Sequence, residues 1–324
     1  GHYQVKLMVL STRGCRDTFQ KQVYIGHNPK AGFIANNTCQ KQRTAFRDTS
    51  IIITDSLRSW QWEFGDGKTS PTTNPDHAYQ TPGEYEIALR VETYHGCRDS
   101  LTDSITVHPT PSTDFQFNHT CFGDSTYFSN QSTISGGGQI DTQLWTFGDG
   151  DSSGQFSPVH RYAGEGQYQS RLIMTSGKGC SDTTTKVVEV DPRPKAAINV
   201  NTSRQCLDGN TFEFSNNSSI TSGKLSYQWH FGDGDSTTQK APSHRYTEAG
   251  FYITKMVATS GEGCMDSALT QLIVDSQTQV RFSINDSSQC FRGHQFRFAN
   301  NSIAPSGNIQ YEWQFGDGSA ASQD

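Results

Sequence analysis

Trp62-Glu63-Phe64-Gly65-Asp66-Gly67 is the stretch that decides the fold, because its pattern returns at 145–150, 229–234 and 313–318. The Phe-Gly-Asp-Gly tetrapeptides are offset by 83, 84 and 84 residues, and a Trp precedes each Phe by two positions. Downstream of the first three come His-x-Tyr (His77/Tyr79, His160/Tyr162, His244/Tyr246) and Gly-x-Tyr (Gly83/Tyr85, Gly166/Tyr168, Gly250/Tyr252). A Gly-Cys turn closes each unit at Cys97, Cys180 and Cys264, and the same turn occurs early at Gly14-Cys15. Self-similarity at a fixed period makes the chain an array of repeats. Its three complete units are expected over 28–110, 111–193 and 194–277, with the tail of a preceding repeat at 1–27 and the head of a following one at 278–324.

Within a unit the periodicity is that of strands. Residues 84–93 alternate Tyr85, Ile87, Leu89 and Val91 with more polar neighbours, the period of a strand with one buried face. Residues 167–175 and 251–259 repeat the pattern less strictly, and 104–108 and 186–190 read as a closing strand. The remaining strands are short and bounded by Gly, Asn, Asp and Pro. About seven such strands make a two-layer sandwich, so the expectation is all-β: tandem immunoglobulin-like antiparallel β-sandwiches in an extended rod.

Each recurring residue has a place in that fold. Trp62, Trp145, Trp229 and Trp313 fill the space between the sheets, and Phe64, Phe147, Phe231 and Phe315, two positions later, point to the same side. The triplets Gly65-Asp66-Gly67, Gly148-Asp149-Gly150 and Gly232-Asp233-Gly234 turn the chain sharply, the Asp bonding nearby amides. Tyr85, Tyr168 and Tyr252 are expected at the core, each with its hydroxyl tied to backbone as a tyrosine corner.

These residues resemble the PKD (polycystic kidney disease) domain, marked by Trp-x-Phe-Gly-Asp-Gly, His-x-Tyr and Pro-Gly-x-Tyr. Residues 62–67, 77–79 and 82–85 match closely, while the later repeats carry Glu165 and Ala249 in place of Pro82. The resemblance covers essentially the whole chain. Its extra cysteines look like those of the long PKD arrays on surface and secreted proteins of Bacteroidetes.

Composition agrees with a repetitive extracellular β protein. Of 324 residues, 32% are hydrophobic and 18% charged; the net charge is −6 and Lys and Arg do not cluster, so a nucleic-acid footprint is missing. Apolar runs are too short to span a bilayer, and no signal peptide is seen, which fits a window cut from a longer protein.

The eight cysteines fall at alternating gaps, two per complete unit, without the Cys-x-x-Cys or His spacing of a zinc site. Eight cysteines in register with a repeat imply disulfides and an oxidising compartment. The pairing within a unit, Cys39 with Cys97, remains open. Strand parity counts against it, placing the first and last turns a strand apart, roughly 20–25 Å, where a disulfide needs under about 7 Å between Cα atoms. In a tandem array the first turn of one unit meets the last turn of the next. The favoured pairs are therefore Cys39–Cys180 and Cys121–Cys264, across linkers as short as residues 108–112 and 191–194.

Other chemistry is sparse. His77, His160 and His244 have carboxylates nearby but no nucleophile motif, and read as packing or turn residues. Asp149/Asp151 and Asp233/Asp235 are a weak calcium signal, which Lys68 breaks in the first repeat; a solvated turn is the alternative. No other cofactor is implied. Asp-Ser/Thr sequences at Ser56, Ser100, Ser104, Thr183 and Ser267 resemble an O-glycosylation signal of Bacteroidetes, against a reading as plain turn chemistry. Asn-x-Ser/Thr sequons also occur, at Asn36 and Asn118 among others.

The reading is therefore a structural or adhesive extracellular stalk at the cell surface, not an enzyme. Its partners are neighbouring repeats, other copies in a fibre, or surface glycans and proteins. The alternative is a non-catalytic spacer or substrate-binding module of a larger secreted hydrolase. Carbohydrate binding by the sandwich itself needs exposed aromatics in a row, and only Tyr94 and Phe122 lack a place in the repeat.

Overall fold

The computed structural model describes residues 1–305 and 308–322 and contains no helix among them. The chain divides into two compact units. One comprises residues 1–118, 126–160 and 168–188; the other comprises 119–125, 161–167 and 189–324.

In the first unit, the first complete repeat builds its larger sheet in the order Thr38–Cys39, Arg98–His108, Gly83–Thr93, Leu57–Glu63, Thr69–Ser70. Its pairs are antiparallel except one. Thr38–Cys39 runs parallel to the end of Arg98–His108, with Val107 beside Thr38 and His108 beside Cys39. The facing layer consists of Phe33–Ile34 paired with Arg47–Asp48, and Arg43–Ala45 paired with Asp76–Ala78. Register sets which residues meet: Leu89 stands opposite both Trp62 and Leu101, on the inner face. Trp62 is fully buried, with Phe33 and Phe46 from the facing layer 5.4 and 5.6 Å away between ring centroids. Its indole N–H donates to the Thr72 carbonyl at 2.9 Å, so burial leaves no polar atom stranded.

The same unit holds much of the second repeat. Phe115–Phe117, Thr126–Asn130 and Val159–His160 form one small sheet, and Ile140–Thr146 pairs with Ser152–Ser153 and with residues 171–176. Trp145 is again fully buried, 5.0 Å from Phe115 and 5.3 Å from Phe128, and its N–H donates to Gln155.

In the second unit, the third repeat reproduces the plan. Arg204–Cys206, Met265–Asp275, Gly250–Ser260, Leu225–His230 and Ser236–Thr237 form the larger sheet, and Ile198–Val200, Phe212–Asn216 and Ser243–His244 the smaller. Trp229 is buried between them with Phe214, Phe231, Met256 and Leu272. Thr120–Cys121, from the second repeat, runs parallel to Val190–Asp191.

Two expectations about core residues are corrected. Tyr85, Tyr168 and Tyr252 are half-buried rather than enclosed; the buried tyrosines are those of His-x-Tyr, Tyr79, Tyr162 and Tyr246. The Gly-x-Tyr side chains stand at the mouth of the sandwich, where the Tyr85 hydroxyl donates to the Thr81 carbonyl and that of Tyr252 to Glu248, both at 2.9 Å. The corner geometry is present, at the rim. Trp313 and Phe315 are likewise only half-buried. Phe282 and Phe298 pack on Trp313.

Candidate functional site

The Gly-Asp-Gly turn is one end of a clamp that recurs in every complete repeat. Gly65 and Gly67 take φ of 78° and 83°, a region that suits glycine, and a Cβ on Gly65 would lie 2.7 Å from the Glu86 carbonyl oxygen. The tight turn points both carboxylate oxygens of the Asp inward. In Asp66, Oδ1 accepts the Lys68 amide at 3.1 Å and Oδ2 meets His77 Nε2 at 2.8 Å. Asp149 and Asp233 do the same with the amides of Asp151 and Asp235 and, at 2.6 Å, with His160 and His244. Each imidazole lies flat on the Phe of Phe-Gly-Asp-Gly, with centroids 4.2, 4.0 and 4.0 Å apart. In the first and third repeats the edge of the same imidazole meets the tyrosine two residues on, whose hydroxyl donates to the Phe carbonyl.

Burial alone would push the carboxyls of Asp66, Asp149 and Asp233 up. The histidine, the turn amide and the positive charge nearby outweigh it and hold all three below the ordinary carboxylate value.

Asp149, Asp151 and His160, and again Asp233, Asp235 and His244, bring ligand atoms within 4.8 Å of one another. The inner Asp of each set already gives one oxygen to an amide and the other to the imidazole. Calcium prefers clustered oxygens and would have to displace that histidine. These groups are arranged to hold a turn on a core.

The joints between repeats are the second recurring feature. Cys39 is bonded to Cys180, with Cα atoms 5.6 Å apart, which links the first turn of the first repeat to the last turn of the second. Cys121 is bonded to Cys264, with Cα atoms 5.7 Å apart, which links the second repeat to the third. Cys180 and Cys264 are fully buried. Among the described residues Cys15, Cys97, Cys206 and Cys290 have no disulfide partner, and Cys97 alone of these four is part-buried.

Polar contacts surround each disulfide. At the first, the Gln40 amide donates to the His108 carbonyl and Thr110 Oγ1 to the Gln40 carbonyl. At the second, Arg193 donates from Nε to the Phe122 carbonyl at 2.9 Å and from Nη1 to the Met265 carbonyl at 3.1 Å, and pairs with Asp124. One guanidinium thereby holds the turns of two repeats, and His119 meets Asp191 beside it at 2.6 Å.

The hydroxyl residues Ser56, Ser100, Ser104, Thr183 and Ser267 are all exposed. The aspartates before three of them have a structural use. Asp99, Asp182 and Asp266 accept the backbone amides of Ala31, Thr113 and Ala196, each at 2.8 Å, tying the start of each repeat to its last strand. Asp55 bonds to His95, which brings its carboxyl down to about 2. Tyr94 and Phe122 are exposed as well. The Asp ties and Arg193 escaped the sequence reading. Cys-x-Asp, repeated at Cys97/Asp99, Cys180/Asp182 and Cys264/Asp266, was the available signal for the former; Arg193 has no counterpart in the first linker, where Thr110 stands.

Fold and joints together define a tandem array of two-layer β-sandwiches. The PKD domain family model matches residues 26–109, 108–192 and 191–274, and the chain belongs to that family. It is 38% identical over 68 residues to a microbial collagenase of Vibrio alginolyticus, a stretch covering 21% of this chain and 8% of the relative. It is 25% identical over 130 residues to collagenase ColA of Clostridium perfringens, covering 40% of this chain and 11% of that protein. The match thus spans about a tenth of these relatives. Among solved structures, the PKD1 domain of Vibrio anguillarum Epp is 24% identical and covers 26% of this chain and 98% of its own, with a TM-score of 0.25. The PKD1 domain of the Vibrio cholerae metalloprotease PrtV is 27% identical and covers 25% and 98%, with a TM-score of 0.24. No helix among the described residues is long and apolar enough to cross a membrane.

Proposed function

We propose that the chain is a non-catalytic, extracellular stalk whose repeats are jointed covalently, so that whatever flanks it is held at a fixed spacing and orientation. The observation that carries this is the placement of the disulfides: each bond joins one repeat to the next, and neither closes a loop within a sandwich. A bond inside a sandwich serves the stability of one fold, whereas a bond between sandwiches restricts their relative motion. The disulfides also support an oxidising, extracytoplasmic compartment. The parallel pairing of Thr38–Cys39 with Arg98–His108 supports load-bearing, because tension along these strands loads their hydrogen bonds in shear. On this reading Ser100, Thr183 and Ser267 are candidate sites for protective O-linked sugars, checked by intact mass of native material.

The test is the width of a distance distribution across the first joint. Spin labels at exposed Arg90 and Ser129 should give one narrow distribution, and Cys39→Ser with Cys180→Ser should broaden it. Equal widths in the two proteins would remove the stapled-stalk reading.

A second reading is favoured by the collagenase relatives: the repeats are the spacer or substrate-binding module of a secreted hydrolase. Retention of the isolated chain on immobilised collagen favours that reading, and free elution favours the stalk.

A further inference from the structure

The solvent-facing side of the third repeat's larger sheet differs from that of the first. Along Gly250–Ser260 the outward positions are Phe251, Ile253, Lys255, Val257 and Thr259, and along Met265–Asp275 they include Met265, Leu269 and Ile273. Phe251 stands directly opposite Ile273, and Leu269 opposite Lys255. Phe251 is 59% exposed, Ile253 48%, Leu269 63% and Met265 56%. No described residue of their own repeat covers them. At the equivalent positions the first repeat carries Glu84, Glu86, Arg90 and Glu92, opposite Thr106, Ser104, Ser100 and Arg98. The second repeat carries Gln167, Gln169 and Arg171 on the corresponding strand. The inner face demands none of this, since Tyr252, Thr254, Met256 and Ala258 serve the core from the other side.

We propose that this face is the docking site for a second copy of the chain, third repeat against third repeat, sheet on sheet about a twofold axis. Sheets that present apolar faces of this kind stack about 10 Å apart in two-layer packings. The face offers no row of aromatics for stacking sugars: Phe251 stands opposite the aliphatic Ile273, and His230 opposite Lys255. The strongly polar sheet of the first repeat offers no match for an apolar surface, whereas a twofold pairing sets the patch against itself. The exposed apolar side chains amount to on the order of 500 Å² per copy, or about 1,000 Å² over two copies, the lower bound for a specific interface. The association is accordingly weak per repeat. Lys255, the one charge in the patch, can lay its stem along the apolar surface and carry its ammonium to the rim. Ser267 is exposed on the same face, opposite Val257, so a sugar there would exclude the partner copy. The proposal rests on this face alone and requires a bare Ser267, so of the stalk reading it conflicts only with a sugar at that residue.

The test is sedimentation equilibrium of the full oxidised chain over a wide concentration range, with intact mass confirming an unmodified Ser267. The expected result is a weight-average mass that rises with concentration toward twice the monomer. Ile253→Glu combined with Leu269→Lys should weaken association at least about tenfold. Ser267→Arg, which only adds bulk and charge beside Val257, should do the same without touching an apolar residue. Glu86→Lys in the first repeat should change nothing. A monomer mass at every concentration would overturn the proposal. So would association undiminished in the face variants, including association carried by the exposed apolar residues of 1–27 and 278–324.

Discussion

His244 lies flat against Phe231, the ring centroids 4.0 Å apart and the planes 1° from parallel, while its Nε2 reaches Asp233 at 2.6 Å. One imidazole thus joins the Gly-Asp-Gly turn to the aromatic core. The same arrangement in His77 and His160 gives each of these imidazoles a structural use. Replacing His244 by Ala removes a stacked ring and a charge-assisted bond, at a cost of about 1–2 kcal/mol. Hydrogen exchange should show the loss confined to the third repeat. His244→Phe, which keeps the stack and forfeits the Asp, should fall between Ala and wild type.

The clamp also sets an acid limit. Asp66, Asp149 and Asp233 have folded values below the ordinary carboxylate value. A depressed folded value means that the unfolded chain binds protons more readily, so this contribution is complete above about pH 4 and declines as pH falls through the lowered values. Denaturant midpoints should drop below that pH, and Asp66→Asn, Asp149→Asn and Asp233→Asn together should flatten the drop. An unchanged acid slope in the triple variant would detach these residues from the effect.

Two glycines of one turn should respond differently. Gly232 has φ of 91°, and a Cβ there would come within 2.8 Å of the Ile253 carbonyl oxygen; Gly234 has φ of 105° with open space around it. Gly234→Ala meets only the backbone penalty, roughly 1–2 kcal/mol, and Gly232→Ala adds a backbone clash to the same penalty. Thermal melts should rank Gly232→Ala below Gly234→Ala.

Much of this was legible because the informative residues are few in kind and fixed in spacing. A Trp two positions before a Phe lands on the same side of a strand in every repeat, and strand parity alone separates Cys39 from Cys97. The placement of Tyr79 inside and Tyr85 at the rim was not legible, since both are tyrosines near a glycine and only the facing layer decides which is covered. Asp99 was read with Ser100 as a modification signal; its bond to the Ala31 amide depends on two segments far apart in sequence. The apolar outer face of the third repeat did leave a trace, in the imperfect alternation of residues 251–259, where Ile253 and Val257 break a polar row. Arg193 left none, because its three acceptors come together only once the joint has formed.

Reduction of the joints should spare the sandwiches. The disulfides span 141 and 143 residues, but each repeat closes its own core around its own indole, so the bonds restrict motion between repeats more than they stabilise any one of them. Exchange protection in the cores of the first and third repeats should survive a thiol reductant, while amides at 39–42 and 121–124 lose protection.

The jointed stalk depends on which cysteines are partners, and proteolysis of the unreduced protein followed by mass spectrometry reads this directly. A peptide containing Cys39 should be recovered crosslinked to one containing Cys180, and Cys121 to Cys264. Recovery of Cys39 joined to Cys97 would contradict the jointed array.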